Sequence, residues 1–84
     1  MKVLPLHSFD EAMTFAQDRI RSVKHSQLVG ERESFARGVV TGYVLAGAIT
    51  LHQENDALKR IDRLAQQRVA ILQLEEQARA EGLS

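Results

Sequence analysis

The chain contains no cysteine among its 84 residues. That absence excludes disulfides and thiolate metal sites, which stabilise many very small domains. A chain of this length buries only about 60% of the surface that its unfolded form exposes, so its own core is marginal. Very good helix packing or a partner subunit must then supply stability. We expect one small domain over residues 1–84.

Proline is almost absent and glycine is sparse. The single proline is Pro5, and only five glycines interrupt the chain. Because proline is excluded from helix interiors, a long stretch without it is compatible with continuous helix. The sequence therefore predicts an all-α fold.

No charge of either sign is in excess, because eleven basic residues balance eleven acidic ones. Most nucleic-acid-binding proteins carry a net basic surface, so the balance argues against that class, although it leaves room for a local patch.

The N-terminus lacks the apolar stretch of a signal peptide, and we expect a cytoplasmic protein. The uncharged segment 38–51 spans about 21 Å as a helix, against about 30 Å of hydrocarbon in a bilayer, so we expect no membrane span.

The first helix is predicted over about 8–24. Ser8 and Glu11 have the spacing of a capping box, in which each side chain accepts a hydrogen bond from the other residue's backbone N–H. Apolar residues then recur at helical spacing and form one face, consisting of Phe9, Ala12, Met13, Ala16, Ile20 and Val23.

The second helix is predicted over about 31–53, and most of it is apolar or small on every side. Between Phe35 and Leu51 the only charged residue is Arg37. A helix of this kind is normally buried all round, and one short neighbouring helix cannot cover it. A second copy of the chain can, which predicts a homodimer.

Small residues repeat every fourth position along this helix, from Ser34 through Gly38, Gly42 and Ala46 to Thr50. A glycine inside a helix costs about 1 kcal/mol relative to alanine, so we expect it to allow close approach of another helix. The predicted dimer interface consists of Phe35, Gly38, Val39, Gly42, Tyr43, Ala46 and Ile49.

The third helix is predicted over about 56–81, with Gly82 as its C-terminal cap. Leu51, Leu58, Ala65 and Leu72 are seven residues apart, as in a coiled-coil seam. Helices two and three are joined either by a hairpin or sharp kink near Asn55 or without any break. The predicted fold is a short N-terminal helix packed on a long helical hairpin or kinked rod, within a dimeric helical bundle.

No motif for catalysis, metal binding or cofactor binding emerges. His52 and Asp56 share a helix face, but a metal site needs at least one more ligand. The serines lack a neighbouring histidine and acid, and the glycine-bearing segment 38–47 lacks the Lys-Ser/Thr of a phosphate loop. We therefore expect a protein that is not an enzyme and that binds neither a metal ion nor a cofactor.

A small helical dimer without an active site typically acts by binding a larger molecule. The leading interpretation is a homodimer that binds another protein as an inhibitor, adaptor or anti-activator. The predicted partner site lies on helix three, where Arg68 interrupts the seam beside Leu64, Ile71 and Leu72, a mixture common in interface hot spots.

The alternative is a nucleic-acid-binding accessory protein that uses basic residues of the connection between helices one and two or of helix three. These residues are Arg19, Arg21, Lys24, Arg32, Arg37, Lys59, Arg60, Arg63 and Arg68.

Overall fold

The first helix, α1, runs over Phe9–Arg21 in a computed structural model that describes residues 8–82. Its predicted capping box is confirmed, because the Ser8 N–H donates to Glu11 Oε1 at 2.8 Å and the Glu11 N–H donates to Ser8 Oγ at 3.1 Å. Met13, Ala16 and Ile20 form its buried face, as the apolar spacing predicts. Residues 1–7, for which Pro5 predicts an extended lead-in, lie outside the described residues.

A connection between the first two helices is confirmed, but it covers residues 22–28 and not about 24–30, and it contains a 3₁₀ turn at Ser26–Leu28. The second helix, α2, follows directly at Val29–Leu45. It directs Val29, Ala36 and Val40 into the core. The opposite side of α2 faces outward and carries the small residues.

The predicted hairpin between the second and third helices is confirmed, but its turn lies at residues 46–50 and not near Asn55, and the alternative of an unbroken rod is wrong. Gly47 has a φ of 72°, a left-handed conformation that other residues adopt only at a cost. Its N–H donates to the carbonyl of Val44 and the N–H of Ala48 donates to that of Tyr43, both at 2.9 Å, which is a Schellman motif. α2 therefore ends eight residues before the predicted residue 53.

The third helix, α3, covers Leu51–Ala80 and is 30 residues long, or about 45 Å. It begins with a second capping box, in which the Thr50 N–H donates to Gln53 Oε1 and the Gln53 N–H donates to Thr50 Oγ1. Its predicted end is confirmed, because Gly82 has a φ of 75° and its N–H donates to the Arg79 carbonyl. A glycine cap of this kind predicts a hydrophobic contact from the next residue, Leu83, which lies outside the described residues.

The three helices form an up-down-up bundle. The ring of Phe9 contacts that of Tyr43 at 5.2 Å between centroids, and Phe15 lies near Phe35, so α1 and α2 are antiparallel. α3 turns back after residue 50 and runs antiparallel to α2.

The core lies between the three helices and the connection between α1 and α2. It consists of Met13, Ala16, Ile20, Val23, Val29, Ala36, Val40, Ala57, Ile61, Ala65 and Leu72. The all-α prediction is confirmed for residues 8–82, and no helix in that range has the length and hydropathy needed to cross a membrane.

Candidate interaction surfaces

A shallow apolar groove runs along the outward side of α1 and α2. Its volume is about 450 Å³, and its lining includes no charged residue. The lining residues are Ala12 of α1, Gly38, Val39, Gly42 and Tyr43 of α2, and Ala46 and Ala48 of the break that follows. We refer to this feature as the outer groove.

The glycines of the outer groove have no packing role within the described chain. A Cβ placed on Gly38 or Gly42 would meet no heavy atom within 4 Å. Each glycine costs the helix about 1 kcal/mol relative to alanine, and no contact among residues 8–82 offsets that cost. The groove is therefore open for an approach from outside.

An aromatic cluster borders the outer groove. The rings of Phe15 and Phe35 lie 6.1 Å apart between centroids, and the Arg19 guanidinium lies 5.7 Å from the first centroid and 5.1 Å from the second. Both phenylalanines are largely exposed, Phe15 by 56% and Phe35 by 42%. Arg19 Nε is buried and has no hydrogen-bond acceptor among the described residues. We call these three residues the Phe–Arg cluster.

The cluster and the groove form one continuous surface. A second depression is lined by Glu11, Ala12, Phe15 and Val39, and it shares Ala12 and Val39 with the outer groove. Exposed aromatic and arginine side chains beside small apolar residues are the composition that protein interfaces favour.

The predicted interface residues of α2 lie on or beside this surface, with one exception. Gly38, Val39, Gly42, Tyr43 and Ala46 line the groove. Phe35 belongs to the cluster, whereas Ile49 follows α2 and packs partly against the core.

The contribution of α1 to this surface was not predicted from the sequence. Phe15 was the available signal, because it is a large apolar residue off the buried face of its helix.

The residues predicted to bind a partner on α3 have a different arrangement, which corrects that prediction. Leu72 is a core residue with 1% exposure, so it has no surface to offer. Arg68 lies on the buried side of α3 and donates to the Val23 carbonyl from Nε at 3.3 Å and from Nη2 at 2.8 Å. Leu64 is half-buried against the core, and only Ile71 is exposed, by 48%.

Leu74 was not predicted, yet it is 67% exposed. It lies three residues after Ile71 and therefore on a neighbouring part of the helix surface. These two residues give the C-terminal half of α3 an exposed apolar area, which we call the α3 patch.

Glu76 fixes the connection between α1 and α2 to α3 at a second point. Its Oε2 accepts from the Ser26 N–H at 2.9 Å, and its Oε1 accepts from the Ser26 hydroxyl at 2.7 Å. The backbone hydrogen bond, then the hydroxyl, and then the charges of His25 and Arg79 lower the pKa of Glu76 below its ordinary value. Arg68 and Glu76 thus hold the connection, and they do so as part of the fold.

Three arginines line a cleft between α1 and α3. Arg21, Arg60 and Arg63 surround a volume of about 220 Å³ together with Gln17, Leu64 and Gln67. Two of them are paired with acids of their own helices, Arg21 with Asp18 at 2.8 Å and Arg60 with Asp56 at 2.7 Å. The pairing weakens the positive potential of this arginine cleft.

The residues considered for chemistry do not converge. In the described part of the chain, no three histidine or acidic side chains are placed to hold a metal ion. Asp56 is bound to Arg60, and His52 is exposed in the first turn of α3. The Ser26 hydroxyl donates to Glu76.

Comparison with known proteins gives no relative. No protein-family model, no curated protein and no solved structure matches this chain.

Proposed function

We propose that this chain is a non-enzymatic binding protein that works as a homodimer and acts on another protein of the cytoplasm as an inhibitor, adaptor or anti-activator. The dimer forms through the outer groove and the Phe–Arg cluster. A free helical surface, the α3 patch, then binds the partner protein.

The observation that supports the proposal most strongly is the exposure of apolar surface on α1 and α2. Two of the three phenylalanines in the chain lie on the outside, beside a groove without charges. Contiguous apolar patches on small soluble proteins typically mark interaction sites. The chain has a formal net charge of zero, so two copies do not repel each other at long range.

The available surface matches what a dimer requires. A stable interface buries about 800 Å² on each partner, which is about one eighth of the 5967 Å² exposed by this chain. α2 is about 25 Å long, and together with α1 it presents a face about two helix diameters wide. A face of that length and width is large enough for a standard interface.

Light scattering on a sizing column tests the dimer. We expect twice the chain mass at micromolar concentration, and we expect Phe15→Ser combined with Phe35→Ser to shift the protein toward monomer. Because both side chains are exposed, the double variant should keep its helical circular dichroism. A dimer that is insensitive to both substitutions would contradict the proposed interface.

Affinity capture from the native host, with wild type and variants in parallel, tests the partner site. Leu74→Ser is expected to abolish capture of a specific partner at physiological salt without changing the dimer mass. Leu51→Ser is the matched control, because it removes a leucine that is 72% exposed at the other end of α3. Equal capture by wild type and Leu74→Ser would contradict a partner site at the α3 patch.

One observation favours a second function, nucleic-acid binding, and it is the arginine cleft between α1 and α3. Phosphate contacts made there would release counterions, so affinity would fall steeply with salt. Fluorescence anisotropy with duplex DNA and with RNA, measured across a salt series, distinguishes the two functions. Salt-dependent binding that Arg63→Ala weakens would support this second function, and its absence favours protein binding.

A further inference from the structure

We propose that the second copy lies antiparallel in the outer groove, with the two-fold axis passing beside Gly42. Each Phe–Arg cluster then covers the C-terminal end of the other copy's α2. This arrangement rests on the dimer proposed above and specifies its geometry.

The shape of the groove indicates which kind of element fills it. Its floor along α2 is made of Gly38, Gly42 and Ala46, which repeat every four residues and leave the backbone accessible. Small residues at this spacing let the backbone of another helix approach closely, provided that the other helix is also small at the contact. The outward face of α2 meets that condition, so α2 of a second copy is the matching occupant.

Symmetry makes this pairing self-consistent. In a two-fold dimer the same patch is used twice, and residue i contacts residue j while j contacts i. If α2 of one copy lies in the groove between α1 and α2 of the other, the reverse contact follows automatically. The result is a four-helix layer made of α1 and α2 from both copies.

Electrostatics selects the antiparallel orientation. In a parallel pair, each Arg19 would face Arg19 of the other copy, and each Glu31 would face Glu31. An antiparallel pair separates these like charges and moves Arg19 toward the opposite end of α2. That end carries the negative pole of the helix dipole, and its last turn contains no basic residue.

The spacing of the stripe gives the register. Gly38 and Ala46 each lie four residues from Gly42, so around that centre Gly38 faces Ala46 of the second copy. Phe35 then lies level with Ile49 of the second copy, which follows the end of α2. The same shift brings the Arg19 guanidinium toward the negative end of that helix's dipole.

Three otherwise unexplained features follow from this one arrangement. The glycines give the space for the helix crossing, the exposed phenylalanines cover the break at residues 46–50, and Arg19 gains the favourable field of the helix dipole. Within residues 8–82, a Cβ on Gly38 or Gly42 meets no atom, Phe15 and Phe35 contact each other yet stay exposed, and Arg19 Nε has no hydrogen-bond acceptor.

Spin-label distances in the full chain test the orientation, and the lack of native cysteine makes single labels unambiguous. Gln27→Cys places a label just before α2, on an exposed side chain. Val29 lies 13 residues before Gly42, so two labels at this end are separated by about 40 Å along an antiparallel pair. A parallel pair brings both labels to the same end, at less than about 30 Å.

Thr41→Cys is the matched label, because this exposed residue lies next to the proposed axis. It should give a short distance in either orientation, and it therefore reports whether α2 forms the dimer at all. A short Thr41 distance with a long Gln27 distance supports the arrangement. Short distances at both positions would overturn the antiparallel orientation and leave the dimer intact, whereas no coupling at Thr41 would overturn the dimer interface itself.

A chemical cross-link tests the register independently. Gly38→Cys and Ala46→Cys are mixed and treated with a short bifunctional thiol reagent. A Cβ at Gly38 meets no heavy atom within 4 Å in the chain, and Ala46 is exposed. We expect mixed dimers that join Gly38→Cys to Ala46→Cys in preference to dimers of either variant alone. Preferential linking of each variant to itself would contradict the register.

Discussion

Gly42 is the position where one substitution has opposite effects on the single chain and on the dimer. A Cβ at Gly42 meets nothing within 4 Å in the chain, so Gly42→Ala and Gly42→Leu should each gain up to about 1 kcal/mol of helix propensity. In the proposed dimer, the leucine side chain would have to fit between two closely packed helices. Overpacking of that kind typically costs about 1–3 kcal/mol.

The proposed two-fold axis would double the penalty, because both protomers carry the substitution. A total of about 2–6 kcal/mol weakens dimerisation by a factor between roughly thirty and more than ten thousand. Gly42→Leu is thus expected to sediment as a stable, helical monomer at concentrations where we expect the wild type to dimerise. Sedimentation equilibrium over a concentration series measures the shift.

Gly30→Leu is the matched control, since Gly30 also lies in α2 and also has open space at its Cβ, but it is not part of the outer groove. Because Gly30 lies in the first turn of α2, the gain in helix propensity should be smaller there, and the proposed dimer should be unchanged. If Gly42→Leu dimerises as tightly as Gly30→Leu, the stripe faces solvent and the reasoning from the glycines fails.

The remaining predictions concern the connection and the break. Glu76→Gln should lower the melting temperature at neutral pH. Because folding lowers the pKa of Glu76, its contribution to stability is present above the unfolded pKa and is lost as pH falls through the folded pKa. The difference in melting temperature from wild type should therefore vanish in acid, and a constant difference would contradict this. Arg68→Ala should cost about 1.5–3 kcal/mol in urea denaturation, because the Val23 carbonyl loses a charged donor, whereas unchanged stability would show that water replaces it. Gly47→Ala should destabilise the protein by about 1–2 kcal/mol, because the left-handed φ of Gly47 is costly for alanine. Gly38→Ala in the isolated chain should not destabilise it. Equal effects of the two substitutions in thermal melts would count against the role of Gly47 as the helix cap.

Features determined by short stretches of sequence were predictable. The Ser8–Glu11 capping box and the Gly82 cap each depend on residues within one or two turns of the helix end. The buried face of α1 follows from helical spacing alone. In these cases the local signal and the folded structure agree, because no distant residue takes part.

The break at residues 46–50 was missed although its signals are present. Gly47 permits the left-handed cap, and Thr50 with Gln53 has the spacing of a capping box. The heptad row from Leu51 suggested continuity past Asn55, but this row belongs wholly to α3. Periodicity within one helix cannot reveal where the preceding helix ends.

The surfaces were predictable only in part, because they depend on how helices meet. The outward face of α2 follows from its small residues. The Phe–Arg cluster requires knowing that α1 lies antiparallel to α2, which brings Phe15 to Phe35. Likewise, Arg68 looked like a surface anchor because its acceptor, the Val23 carbonyl, is 45 residues away in sequence.

The solution mass of the unmodified protein tests the central claim most directly. Light scattering or sedimentation equilibrium, from low micromolar concentration upward, should give twice the chain mass of 9.4 kDa, with dissociation only on dilution. A sharp species of 9.4 kDa that persists at tens of micromolar would contradict the account, because the outer groove would then remain exposed in the working form of the protein.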